Sequence, residues 1–234
     1  MIYAVIDKKK LTLIMGVFVS LIVFSAVIYS VKNTGKDSEE NNLKVVVDAG
    51  HGLPDGGTVG IAGSIESDIN LDIARLLKEI LEGKGIEVMM TRDSAKGLKY
   101  SNNEKWSKVS DMNIRLGMMK TSNADLFISI HMNHYPEKSV HGLRLFYSKK
   151  HPQIKQLAEL MQLKMSSATG AKINTVMAAD SRLFLMKSPP LPAILIECGF
   201  ISNPDEEKNL LNDEYKAKLA WAIAESVEEY YIKS

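Results

Sequence analysis

The chain has 234 residues, 45% of them hydrophobic and only 7 of them proline, which suits one well-packed domain with an appendage and not a disordered segment. The formal net charge is +1, and Lys8, Lys9 and Lys10 cluster near the start, so the body lacks the basic surface that nucleic acid requires. A single cysteine, Cys198, excludes an internal disulfide and any paired-cysteine zinc knuckle.

Residues 1–10 form a short basic end, expected on the cytoplasmic side. Residues 11–31 carry no charge, and as a helix these 21 residues span about 31 Å, enough for a bilayer core. The lysines ahead of the stretch place the body on the outer side of the membrane. Secretory apolar segments are shorter and end in small-residue cleavage sites, so a retained transmembrane anchor is favoured over a cleaved signal or a buried core helix. Residues 32–42 are a polar linker, and 43–234 are the expected catalytic domain.

Within that domain a first strand at 44–48 runs into a loop rich in glycine, 49–57. Ile69, Ile73, Leu76, Leu77, Ile80 and Leu81 recur at helical spacing and predict a helix over 68–83, followed by a strand at 86–91. Residues 92–110 are polar and irregular, with Ser110 or Asp111 placed to cap a helix running to Lys120. Further strands are expected at 124–131, 142–148, 183–186 and 193–198, and a helix at 152–168. Asn203 and Pro204 read as a cap and a first-turn proline for a helix over 204–211, and the last helix covers 214–231. The alternation predicts a single α/β domain, a mostly parallel or mixed sheet of about six strands flanked by helices.

The ends of these strands carry the chemistry. His51, His131 and Glu197 each close an apolar, β-branched run, and Glu66 stands just ahead of the long amphipathic helix. In open α/β sheets ligands gather at the carboxyl ends of strands. Two imidazoles and two carboxylates converging there suit a zinc hydrolase with three protein ligands and one general base. His134, three residues after His131, is a rival ligand only if the chain turns sharply; it and His141 read as loop histidines. Spacing alone does not separate Glu66 from Asp68. Glu197 shares a strand face with Leu195, and a carboxylate in an apolar strand is costly without a metal, a cation or a proton. Cys198 lacks an evident base partner and reads as a small buried residue. Trp106 either pins its own loop or stacks on a sugar or a partner.

Four segments, Asp48-Ala-Gly-His-Gly52, Glu66-Ser-Asp-Ile-Asn-Leu71, Ser129-Ile-His-Met-Asn133 and Ile196-Glu-Cys-Gly-Phe-Ile-Ser-Asn203, occur in this order. Together they resemble the zinc-dependent N-acetylmuramoyl-L-alanine amidases of the Amidase_3 type, over essentially all of 43–232. The resemblance implies His51, Glu66 and His131 as zinc ligands and Glu197 as the catalytic glutamate. It settles Glu66 over Asp68. Ala49 and Ser67 stand where family members often have proline and lysine; neither position supplies a metal-binding atom. The implied reaction is hydrolysis of the amide between N-acetylmuramic acid and L-alanine in peptidoglycan. Asn133 and Arg115 are candidates for substrate contact, with a loop hydrogen bond or a helix-surface salt bridge as the alternative.

The catalytic domain with only an anchor looks most like the sporulation-type members, which trim spore cortex so that muramic-δ-lactam can form. That likeness places the catalytic domain outside the cytoplasm, in the intermembrane space of the forespore. Residues 92–110 are too polar and broken for an inhibitory helix, so a separate activating protein partner or timing of synthesis would supply control. The competing readings are a general wall amidase of vegetative growth, a zinc exopeptidase or deacetylase on a similar fold, and a non-enzymatic wall-binding module.

Overall fold

The computed structural model describes residues 43–99, 101, 103 and 105–232. The expected basic end, membrane span and linker at 1–42 lie outside them; among the described residues no helix is long and apolar enough to cross a membrane. The strands, in chain order, are β1 (Lys44–Ala49), β2 (Glu87–Met90), β3 (Leu126–Asn133), β4 (Arg144–Tyr147), β5 (Met177–Ala178) and β6 (Ala193–Phe200). Among the described residues they form one sheet in the order β2-β1-β3-β6-β4-β5. It is parallel except where β4 runs against β6. β1, β3 and β6 lie in its centre, buried on both faces, which is why each reads as a nearly continuous apolar run.

The helices are α1 (Glu66–Gly83), α2 (Lys108–Thr121), α3 (Lys155–Thr169), α4 (Phe184–Lys187), α5 (Pro204–Leu210) and α6 (Asp213–Tyr231), with a 3-10 turn at Pro152–Ile154 ahead of α3. Side chains alternate across each strand. Val45, Val47, Ile128, Ile130, Ile194 and Ile196 pack on one face in a cluster with residues of α1, α3 and α6. Val46, Phe127 and Leu195 face the other way, against Met119 of α2 and Met186 of α4. By the same alternation Asp48, Ser129, His131 and Glu197 share this second face, which the shorter helices cover. A mixed six-stranded sheet between two helical layers agrees with the expectation from sequence.

Three local expectations are corrected. Residues 183–186 were predicted as a strand, but Phe184–Lys187 is a single helical turn and the short strand lies at Met177–Ala178. An apolar run of four has no periodicity to separate the two, and burial of the adjacent Leu185 and Met186 is served by the turn. α2 is capped by Ser107, whose hydroxyl accepts from Ser110 N at 3.1 Å, and neither Ser110 nor Asp111 is the cap. Asp111 is instead drawn inward by Arg115. α1 begins at Glu66, so that residue lies in the first turn and not ahead of the helix. The Asn203 cap holds as expected, its side chain accepting from Asp205 N and Glu206 N, with Pro204 in the first turn.

Candidate metal centre

The sheet register brings the strand ends together. Ser129 sits opposite Asp48 across β1 and β3, and His131 opposite Glu197 across β3 and β6. β2 and β3 lie on opposite sides of β1, so the chain reverses its direction of build there, and the carboxyl ends beside such a reversal form a crevice. A cavity of about 660 Å³ opens at this place, with His51, Glu66, His131 and Glu197 in its wall and Met112 and Phe184 among the apolar residues facing them.

His51, Glu66 and His131 each offer one donor atom, all within 4.8 Å of one another. Glu66 Oε1 lies 3.3 Å from His51 Nε2 and 3.2 Å from His131 Nδ1. Donors about 2.0–2.1 Å from a tetrahedral zinc stand roughly 3.3 Å apart, so the spacing fits such an ion, and three protein donors leave one position open. Small residues make the room. A Cβ on Gly50 would stand 2.3 Å from the His131 ring, and one on Gly57 would stand 2.5 Å from Glu66 Oε2. Asp68, the rival to Glu66, is exposed and outside the cluster. His134 lines the cavity without joining the cluster, and His141 is an exposed loop residue whose Nδ1 lies 2.8 Å from Ser139 O.

His51 is held in the left-handed region, φ 61°, which costs a non-glycine residue about 1–2 kcal/mol. Two buried guanidinium groups hold the backbone that carries it. Arg115 donates to the carbonyls of Ala49 and His51, and Arg92 donates to those of Ala49, Gly50 and Ser67. Asn70, one turn along α1 from Glu66, donates to Gly50 O at 3.1 Å. Asp55 Oδ2 lies 3.1 Å from His51 Nδ1, an ion-pair contact set off the line of a good hydrogen bond. A carboxylate there favours the proton on Nδ1 and leaves Nε2, which faces Glu66, as the donor atom.

The structure corrects one role considered for Arg115. Its side chain is fully buried, so it is no helix-surface bridge; it pairs with Asp48 and Asp111 in the cavity wall. Burial alone would push the Asp48 carboxyl up, but Arg115 and the Ser129 and Thr91 hydroxyls hold it below the usual range. Trp106 donates to Asp111 at 3.2 Å, which ties its own loop down. Asn133 sits at the cavity and accepts from the His134 amide at 2.8 Å. Cys198 is buried, on the face turned away from Glu197, and burial raises its thiol pKa, which keeps it unreactive.

The two cavity glutamates differ. Burial opposes the charge of Glu66, yet His131 and His51 hold its carboxyl far below the ordinary range. Burial opposes the charge on His51 as well, and the hydrogen bond and charge of Glu66, with help from Asp55, outweigh it and raise its pKa. Among the described residues Glu197 Oε2 is shut from solvent and has no hydrogen-bond partner, and burial pushes this carboxyl up to about 7 against the pull of His131.

A match to the N-acetylmuramoyl-L-alanine amidase family model (Amidase_3) runs over residues 45–229, nearly the whole described domain. The chain belongs to this amidase family. The germination-specific N-acetylmuramoyl-L-alanine amidase of Bacillus subtilis (strain 168) is 32% identical over 191 residues, covering 80% of this amidase and 79% of that protein. The CwlD amidase from Clostridioides difficile, solved in complex with the GerS lipoprotein, superposes with a TM-score of 0.77 at 31% identity, covering 82% of this chain and all of that one. The catalytic domain of CwlV from Bacillus (Paenibacillus) polymyxa var. colistinus gives 0.70 at 28% identity, covering 80% and 97%. The enzyme is therefore a peptidoglycan amidase that works outside the cytoplasm, and its three clustered donors are a fitting metal site.

Residue type and strand ends marked His51, His131 and Glu197. Asp55, Asn70, Arg92 and the inward course of Arg115 went unmarked. The only signal for Asp55 was its place four residues after His51 in the glycine-rich loop; nothing local pointed to the other three.

Proposed function

We propose that this amidase hydrolyses the bond between N-acetylmuramic acid and L-alanine in spore cortex peptidoglycan, with zinc bound by His51, Glu66 and His131 and with Glu197 as acid–base catalyst. The observation that carries the reading is the register pairing of His131 with Glu197, which sets a proton-accepting carboxylate beside the donor cluster. A zinc ion held there supplies Lewis acidity at the scissile amide. Glu197, shifted by burial into the neutral range, takes a proton from the attacking water and returns it to the leaving nitrogen. In this reading Asn133, which lines the cavity, hydrogen-bonds the substrate amide or sugar.

The cortex assignment rests on the likeness to the germination-specific amidase of B. subtilis, which extends over four fifths of both chains. In this reading residues 11–31 hold the domain at the extracytoplasmic face of the membrane, and a regulatory protein partner completes the assembly, a reading supported by the C. difficile relative having been solved in complex with a lipoprotein. Digestion of purified cortex and vegetative peptidoglycan by the full chain, followed by mass spectrometry, tests the reading. New amino-terminal L-alanine from cortex supports it. Release from vegetative wall alone makes the enzyme a general wall amidase, and full activity without cell extract removes the required partner.

A further inference from the structure

We propose that Glu207, on α5, is a positioning residue for the metal site: its carboxylate fixes the hairpin that orients Glu66. This inference rests on His51, Glu66 and His131 being the metal ligands. The hairpin spans residues 58–65 and closes through a bridge between Val59 and Ile65. Gly60 N donates to Ser64 O at 2.8 Å. The side chains of Val59 and Ile61 do not anchor it, being 61% and 48% exposed.

The polar tip is held instead by one buried group. Glu207 is 2% exposed and accepts from Ala62 N, at 3.0 and 2.9 Å to its two oxygens, and from the Ser64 hydroxyl at 2.5 Å. A Cβ on Gly60 would lie 2.0 Å from Glu207 Oε1, so the hairpin backbone closes directly on the carboxylate.

The root of the hairpin reaches the ligand. Thr58 N donates to Glu66 Oε2 at 2.9 Å, Glu66 N donates to Thr58 O at 3.0 Å, and Ser67 N donates to Gly56 O at 3.0 Å. With Oε2 tied to the hairpin, Oε1 is the oxygen left facing both imidazoles. The anchor is itself fixed, because the neighbouring Glu206 accepts from Phe200 N at 2.7 Å and Gly142 N at 2.9 Å. α5 thus ties the end of β6, which bears Glu197, to the loop that presents Glu66. Groups that orient a metal's ligands typically set affinity by 10–100-fold.

The test compares the full chain with Glu207→Ala, Glu207→Gln and Ser64→Ala, measuring zinc affinity by competition with a chromophoric chelator and thermal unfolding without zinc. Glu207→Ala is expected to weaken zinc binding by about 10–100-fold. Glu207→Gln, which keeps one acceptor oxygen, and Ser64→Ala, which removes one donor, fall between it and the parent. Unchanged zinc affinity alongside a lower melting temperature overturns the inference and leaves Glu207 a mere loop anchor. If Glu207→Ala does not fold, the other two variants decide by the same criterion. A parent chain that binds no zinc overturns the metal reading, and the inference with it.

Discussion

Glu66 and Glu197 are carboxylates on the same cavity, within reach of the same two imidazoles, yet their surroundings are opposed. On the β1 side Glu66 accepts from Thr58 N and Met132 N, and the adjoining backbone is gripped by Arg92 and Arg115. On the β6 side one Glu197 oxygen has no hydrogen-bond partner among the described residues. Hydrogen bonds and charge interactions with His131 and His51 keep the first ionised against its burial; desolvation lifts the second to about 7. Ligands must stay deprotonated and rigid, whereas an acid–base group must exchange a proton near working pH. One residue type fills both roles because the fold satisfies one carboxylate and starves the other.

Removing the starved carboxylate gives the largest expected effect. Glu197→Gln should lower turnover by about 10²–10⁴-fold while zinc binding persists, as read by release of amino-terminal alanine from peptidoglycan and by metal analysis. Retained turnover removes Glu197 from its role. On the other side, Arg115→Met strands Asp48 without its partner in the interior. Breaking a buried pair costs about 3–5 kcal/mol, to be measured by urea unfolding at neutral pH. The parent's Asp48 is held below its ordinary 3.8, so its contribution is fully present above that pH and is lost as the pH falls through the folded value. The variant should lack that acid-dependent step.

The two sides also carry opposite pH signs. Glu197 moves from an ordinary 4.5 to about 7, so between those values the folded chain holds a proton that the unfolded chain has released. Stability of the metal-free protein therefore falls as pH rises from about 4.5 to about 7, by at most about 3 kcal/mol. Glu197→Gln should abolish that decline and make the metal-free variant more stable than the parent at pH 8. Parallel unfolding curves for the two proteins across this range would contradict the partnerless state of Glu197.

The satisfied and starved sides were not equally legible in the sequence. Strand ends, residue type and face alternation pointed to His51, His131 and Glu197, because β1, β3 and β6 are long, buried and central. The α2 cap was misplaced because Asp111, a good capping residue on its own, is claimed by Arg115 and, through its side chain, by Leu98 N and Trp106. Glu207 and Arg92 reach their partners across 145 and 42 positions of sequence, a separation that no local pattern encodes. A two-residue strand such as β5 carries too little periodicity to be read at all.

The smallest effect concerns what holds the β6 side in place. Asn203 accepts at 3.0 Å from both Asp205 N and Glu206 N, and its amide donates to Lys138 O at 2.8 Å. Asn203→Ala removes this cap, which costs about 1 kcal/mol and lowers the melting temperature by roughly 2–4 °C in a domain of this size. The loss should be local. α5 reaches β6 through Glu206, so hydrogen exchange at Phe200 N and Gly142 N should quicken in the variant. Exchange at Gly50 N, bonded to Ile130 O beneath the arginine pair, should keep its parent rate relative to global unfolding. Equal acceleration at both places would mean that the two halves of the site open together, and that the contrast between them lies in their electrostatics alone.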